Sequence, residues 1–373
     1  MNNVNETIIL VKDKTLVCQD AHIYVRNRGS PFRNPLRSAF TLLMFQLGII
    51  SSISYLINLG LQPLGQSLIV SQILGGMVVG PSFLGHKREF ALTFFPLRGT
   101  LALETLASFG IMFFLFSISV KMDSSLMVRP GRKAMTIGTS VFLFTTIFPI
   151  ALAVVLKNYI PMDASLQNSL PLLAASQAIT GFPVIACLLD ELKMLNTDIG
   201  RLALSSSMFC DLIGMVVTAI SLSLVGAEKS KDPLTPLWAL LSVITFVGTI
   251  VFLGRPMIKG VIRETPEGKP VQEFYVFAMF VLVLVCGLFG EMIGQHYILG
   301  PMILGLVIPD GPPLGTALSS KLEAISASLL YPTYLAVSGL QTDVFKVQFR
   351  SFWIMGIIVI FASFVKIAGT MLP

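Results

Sequence analysis

Charge is what this sequence has least of. Asp, Glu, Lys and Arg make up only 12% of its 373 residues, about half the share of a typical soluble domain, which argues against a soluble enzyme. Histidine is nearly absent: His22, His86 and His296 are too scattered for a metal site, and neither an H-E-x-x-H nor a G-x-S-x-G pattern occurs. The four cysteines, Cys18, Cys187, Cys210 and Cys286, show no C-x-x-C spacing, so neither zinc nor a disulfide framework is indicated. The net charge of +6 comes from 26 basic and 20 acidic residues. Those are too few to build a phosphate-binding face, so nucleic acid is not an expected partner. Basic residues at the ends of membrane spans explain the sign.

What fills the sequence is apolar: 54% of residues are hydrophobic. A helix needs about 20 apolar residues to cross a bilayer. From Ser38 to Gly85 there is no Asp, Glu, Lys or Arg, enough for two spans, with a turn signal at Asn58–Pro63. Further uncharged runs cover Ala134–Leu156, Ala164–Leu189 and Pro233–Gly254. Eleven spans are expected, near 38–59, 67–85, 100–120, 134–156, 169–189, 200–225, 236–258, 273–293, 297–309, 325–340 and 351–372. The runs lack the short apolar–polar alternation of barrel strands. The reading is an all-α polytopic membrane protein in contact with membrane lipid, in an endomembrane or the plasma membrane. Residues 1–37 form a polar N-terminal tail, expected to be mostly unstructured. Its one apolar cluster, Ile8–Val11, is too short for a signal-peptide core. Basic residues divide almost evenly between the two sides and leave orientation open.

Two segments echo one another. Ile73-Leu-Gly-Gly-Met-Val-Val-Gly-Pro81 returns as Ile298-Leu-Gly-Pro-Met-Ile-Leu-Gly-Leu306, an offset of 225. Leu115–Asp123 returns as Leu335–Asp343, an offset of 220. In span order this is a shift of seven, and an odd shift inverts the second copy in the membrane, as in many secondary transporters. Carried forward, the offset would place the equivalents of the fifth span and of Asp211 beyond residue 373. The second copy is therefore expected to lack the partners of spans five and six.

The chemistry concentrates in three spans. The fifth reads Ala178-Ile-Thr-Gly-Phe-Pro-Val-Ile-Ala186. Pro183 removes an N–H and Gly181 relaxes the backbone, so either a simple kink or a helix broken within the membrane is open. In the second case Thr180 or Gly181 caps the new half-helix, whose exposed ends hold ions. The sixth span carries Asp211, the sole charge between Arg201 and Glu228. A carboxylate at that depth costs about 2.5–3.5 kcal/mol on insertion scales and marks a cavity or a partner; it suits trading a proton for a cation. Lys366 stands in the last span, either as a charge partner of Asp211 or snorkelling to the interface. Glu104 opens the third span as a further site candidate, and Cys210 adjoins the aspartate.

At these residues the chain resembles the plant cation/proton exchangers of the second monovalent cation:proton antiporter family. The resemblance runs from Asn34 to Gly369 and rests on Leu74–Pro81, Leu103–Ala107, Thr180–Ala186, Asp190–Lys193, Thr197–Arg201, Ser338–Asp343 and Lys366–Thr370. It implies a sodium/proton-antiporter-like fold of about thirteen helices, in two inverted six-helix repeats joined by a linker helix. On that frame 38–225 is the first repeat, 236–258 the linker and 273–373 an incomplete second repeat. Asp211 matches the family's cation- and proton-binding aspartate, Thr180, Gly181, Phe182 and Pro183 its first broken helix, and Lys366 its membrane lysine. Cys210 stands where the family pattern has Asn, which loses a carbonyl ligand and an amide donor; with Thr180 it is still expected beside Asp211 in the cation- and proton-binding site. The implied activity is exchange of potassium or sodium for protons, with no organic cofactor, no bound metal and no enzymatic step. A homodimer is an expectation of the resemblance. The alternative is a transport-inactive shortened form that pairs with a full-length homologue.

Overall fold

The computed structural model describes residues 6–10, 16–20, 38–121, 131–160, 164–178, 181–195, 197–230, 235–265, 271–309, 311–346 and 349–371. Within the polar tail, β1 (Glu6–Leu10) and β2 (Leu16–Asp20) pair antiparallel, with Ile8 opposite Cys18. The tail therefore has a hairpin where no regular structure was expected. Thr7, Ile8, Ile9 and Val17 are β-branched, and their stiff side chains favour the pleated ladder. The other described elements are helices.

Contacts divide the chain into two units, one formed by residues up to Phe109 with Leu329–Val344, the other by Gly110–Ser328 with Phe345–Pro373. In the first, α1 (Ala39–Leu61) buries the stripe Leu42, Gln46, Ile50 and Ser54, one residue per turn along a single face. Gly65, in the left-handed conformation at φ 70°, turns the chain into α2 (Leu68–Val79), whose first turn is capped by the Ser67 hydroxyl accepting from Ile69 N. A short α3 (Arg88–Phe94) precedes α4 (Leu97–Lys121). The core joins Ile50, Val79, Leu103 and Ala107 to Ala336 and Leu340 of α13 (Tyr331–Leu340). Ser82 ties the two chain segments together: its hydroxyl donates to Thr342 O at 2.6 Å and accepts from Val344 N at 3.1 Å.

The second unit holds the end of α4 from Gly110, then α5 (Arg132–Tyr159), α6 (Ala164–Ser176), α7 (Phe182–Glu191) and α8 (Asp198–Ser230). It continues through α9 (Thr235–Glu264), α10 (Glu273–Met292), α11 (Leu299–Val307) and α12 (Leu314–Ile325), and ends with α14 (Phe349–Met371). α5 and α14 run antiparallel. Ser140 Oγ donates to Gly369 O at 2.8 Å near one end, and Ala153 packs with Ile354 and Ile358 near the other. The expected span 297–309 is a nine-residue helix buried from Leu299 to Leu306, about 13 Å long and too short to cross a bilayer by itself. The expected span 325–340 is longer at its start: α12 leads through a π turn, Ser326–Leu330, directly into α13. Among the described residues, seven helices are long and apolar enough to cross a membrane. The chain is an integral, multi-pass membrane protein.

The sequence repeat has a counterpart in the packing of each unit. In the first, α2 meets α13 through glycine: Cβ atoms at Gly76 and Gly339 would collide with the carbonyls of Ala336 and Ile73, and one at Gly80 would lie 2.9 Å from Leu340 O. In the second, α11 meets the end of α4 the same way: a Cβ at Gly305 would lie 2.7 Å from Phe116 O and 3.3 Å from Val120 N. Gly80 and Gly305 are related by the offset of 225, and Val120 and Leu340 by that of 220. In both places a helix carrying one echoed motif packs on a helix carrying the other. Without a hydrophobic force between helices in lipid, such backbone approach supplies the packing energy.

Gly305→Leu should therefore cost about 1–3 kcal/mol by overpacking, and Gly76→Leu a similar amount. Thermal midpoints in detergent check this, with Gly248→Ala, whose Cβ would meet nothing within 4 Å, expected to leave the midpoint in place.

Candidate functional site

The fifth span is broken, not kinked. α6 stops at Ser176 and closes with two tight bonds, Gln177 N to Ala174 O and Ala178 N to Ala175 O. α7 starts afresh at Phe182, with Pro183 as its second residue. Gly181 between them sits at φ 71°, ψ 61°, the left-handed region that costs a residue with a Cβ about 1–2 kcal/mol. Thr180 lies outside the described residues.

Every backbone group at the start of α7 has a partner. Gly181 N donates to Asp211 Oδ1 at 3.2 Å, and Phe182 N donates to Oδ2 at 2.6 Å. Pro183 has no N–H to satisfy. Val184 N and Ile185 N both donate to Gly181 O. The Asp211 carboxylate thus caps the half-helix with both oxygens, placing negative charge at the positive end of the dipole. It does so from the interior of α8 and is only 6% exposed.

The other end of the break is matched in the opposite sense. Lys366 Nζ donates to Gln177 O at 3.4 Å, and Cys210 Sγ donates to Ala178 O at 3.4 Å. A cation and a weak donor therefore meet the carbonyl end of α6, which carries the negative dipole. Lys366 is also attracted by the charge on Asp211. The lysine is turned towards the break and does not snorkel along α14.

Neighbouring helices fix these side chains. Gly138 on α5 lets α8 approach: a Cβ there would lie 2.8 Å from Ser206 O and 3.1 Å from the Phe209 ring. Cys210 then packs with Val141, Phe142 and Ala178, and the Lys366 charge is near enough to act on it. Three residues after Lys366, Gly369 seats α14 on α5, where a Cβ would lie 3.2 Å from Val141 Cα. Glu104 belongs to the first unit; it is half-buried and accepts from Gln341 Nε2 at 2.9 Å. The structure thus brings Asp211, Cys210, Gly181, Phe182 and Lys366 together, and adds the carbonyls of Gln177 and Ala178. Sequence reasoning passed over those two because their side chains carry no charge; their position just before the break was the available signal. Among the described residues no three His, Cys, Asp or Glu side chains group to hold a metal ion.

A family model described as "Sodium/hydrogen exchanger, transmembrane" matches residues 48–372. The chain belongs to this family. Among curated relatives, Cation/H(+) antiporter 15 of Arabidopsis thaliana is 34% identical over 362 residues, covering 96% of this chain and 44% of the relative. Cation/H(+) symporter 13 of the same plant is 35% identical over 340 residues, covering 89% of this chain and 40% of the relative. The chain therefore spans less than half the length of these relatives. A solved structure of the sodium proton antiporter MjNhaP1 from Methanocaldococcus jannaschii superposes with a TM-score of 0.58 at 18% identity, covering 90% of this chain and 80% of that one. That likeness establishes the antiporter fold.

Removing the cap strands the buried Phe182 N–H, at about 1–3 kcal/mol, and the part-buried Gly181 N–H at less. Asp211→Ala should therefore lower the thermal midpoint in detergent clearly more than Asp211→Asn, which keeps one carbonyl acceptor. Gly181→Ala should cost about 1–2 kcal/mol through its dihedral angle alone. Equal midpoints for the two Asp211 variants would contradict the cap.

Proposed function

We propose that this exchanger-family chain moves potassium or sodium across the membrane against protons by alternating access, with Asp211 binding the two in turn. The observation that carries the reading is the buried Asp211 carboxylate, held by the Gly181 and Phe182 amides while Lys366 holds the opposite lip of the same broken helix. One carboxylate neutralises one positive charge. A proton or a monovalent cation on Asp211 excludes the other, and that exclusion is the coupling. The two amides hold the carboxylate in place through the cycle, so charge changes hands without moving the helix end. Lys366 is the charge partner: held at the Gln177 carbonyl, its ammonium balances Asp211 when no cation is bound and releases it when one is. Cys210 contributes by occupying the Ala178 carbonyl, which keeps that oxygen from competing for the cation. The role is transport and no enzymatic step is part of it; both relatives described above are named as transporters.

The relatives include one named a symporter, so the direction of proton flow is itself a readout. With the chain in sealed vesicles carrying a pH dye inside, inward potassium or sodium should drive protons outward. Asp211→Asn should abolish this flux, at least tenfold by initial rate. Proton flow in the same direction as the cation would favour symport. Flux unchanged in Asp211→Asn would remove Asp211 from the mechanism. Flux that appears only after a longer relative is reconstituted alongside would favour the paired, inactive-alone reading.

A further inference from the structure

In the second unit, α10 passes into α11 through the turn 293–298, outside the membrane-spanning helix. α10 closes with a left-handed cap. Gly294 sits at φ 75°, Gln295 N donates to Gly290 O at 2.9 Å and Gly294 N donates to Glu291 O at 3.0 Å. α11 starts almost at once, and a single residue accepts from its leading amides. His296 O accepts from Leu299 N at 3.0 Å, and His296 Nδ1 accepts from Ile298 N at 3.4 Å. The imidazole lies against the Tyr297 ring, with centroids 4.4 Å apart. The turn also packs closely on α10: a Cβ at Gly290 would lie 3.4 Å from His296 O, and one at Gly287 3.4 Å from Tyr297 O.

Only an unprotonated Nδ1 accepts a hydrogen bond, so this cap belongs to the neutral ring with its proton on Nε2. Protonation turns Nδ1 into a donor and sets a positive charge against the positive end of the α11 dipole. The end of α10 has the opposite sign, and Glu291 in its last turn adds a negative charge. Both helix ends therefore push an imidazolium the same way, off α11 and towards α10. Glu291 is the charged group that acts on the ring. α9 and α4 bring Phe246 and Met112 to this end of α10, and neither is charged. Partial burial lowers the His296 pKa from the usual 6.5, and the weaker pull of Glu291 raises it. A histidine held below its ordinary value stabilises the fold above that value and loses the contribution as the pH falls through the lowered one.

We infer that the His296 imidazole is a pH-operated latch: neutral, it caps the start of α11, and protonated, it leaves that cap for Glu291 at the end of α10. The helix it releases is a nine-residue one, Leu299–Val307, short enough that one cap matters to its first turn. That turn is seated on α10, where a Cβ at Gly300 would collide with the Cys286 carbonyl, and its far end on α4 through Gly305.

The full chain in detergent, labelled with nitrogen-15 in its three histidines, shows the state of each ring by NMR. The signal missing from His296→Asn identifies this one. Its ring should carry the proton on Nε2 near neutral pH and titrate below 6.5, and lower still in Glu291→Gln. Hydrogen exchange, corrected for its intrinsic pH dependence, should show the Ile298 and Leu299 amides losing about tenfold in protection on acidification, the scale of one lost cap. His296→Asn keeps a capping acceptor without the titration, so its protection should be the same at both pH values. A proton on Nδ1 near neutral pH, or a titration at or above the ordinary value, would overturn the latch without any folded variant. So would a titration indifferent to Glu291→Gln, or acid loss of protection in His296→Asn equal to that of the unaltered chain.

Discussion

A carboxylate buried against the start of a half-helix is the constraint on which the second unit depends. Breaking the fifth span frees backbone groups within a membrane protein, and each one left unpaired in lipid surroundings costs several kcal/mol. Asp211 removes that cost with two hydrogen bonds from one side chain. In return the amides hold a charge that would otherwise be expelled from the protein interior. Break and aspartate make each other affordable, and neither is stable alone. Lys366 and Cys210 complete the exchange at the carbonyl end. The described amides that open α7 and the Gln177 and Ala178 carbonyls are thus partnered, with the carboxylate held by two hydrogen bonds.

The close helix contacts serve the same end. Gly138 brings α8 to α5, and Gly369 brings α14 to α5. α5 is therefore the common wall on which the aspartate helix and the lysine helix are both mounted. In the first unit, and at the end of α4 in the second, glycines of the echoed motifs do comparable work between helices. Glycine is used where backbones touch, and Asp211 and Lys366 serve where the backbone of the fifth span is interrupted.

Much of this was legible in the chain. Uncharged runs located the seven described helices of membrane length because bilayer thickness fixes their length. The isolation of Asp211 and the Gly181–Pro183 pair marked the site because both are costly without a purpose. The repeat was visible as two offsets, and the structure turned them into the pairs Gly80 with Leu340 and Gly305 with Val120. Other features left little trace. Gln177 and Ala178 act through carbonyls that every residue carries, so no side chain announces them. The buried length of α11 was overread because an apolar run looks the same whether it faces lipid or protein. The hairpin in the tail was missed because four β-branched residues compete with a strongly polar background.

The central claim is that Asp211 binds a proton and a cation in competition. Calorimetric titration of the purified chain with potassium or sodium, repeated in buffers of different ionisation enthalpy, reads the protons released per cation bound. The account predicts a release approaching one proton where Asp211 starts protonated, and no release and no cation binding in Asp211→Asn. Cation binding without proton release at any pH, or an unchanged release in Asp211→Asn, would contradict it.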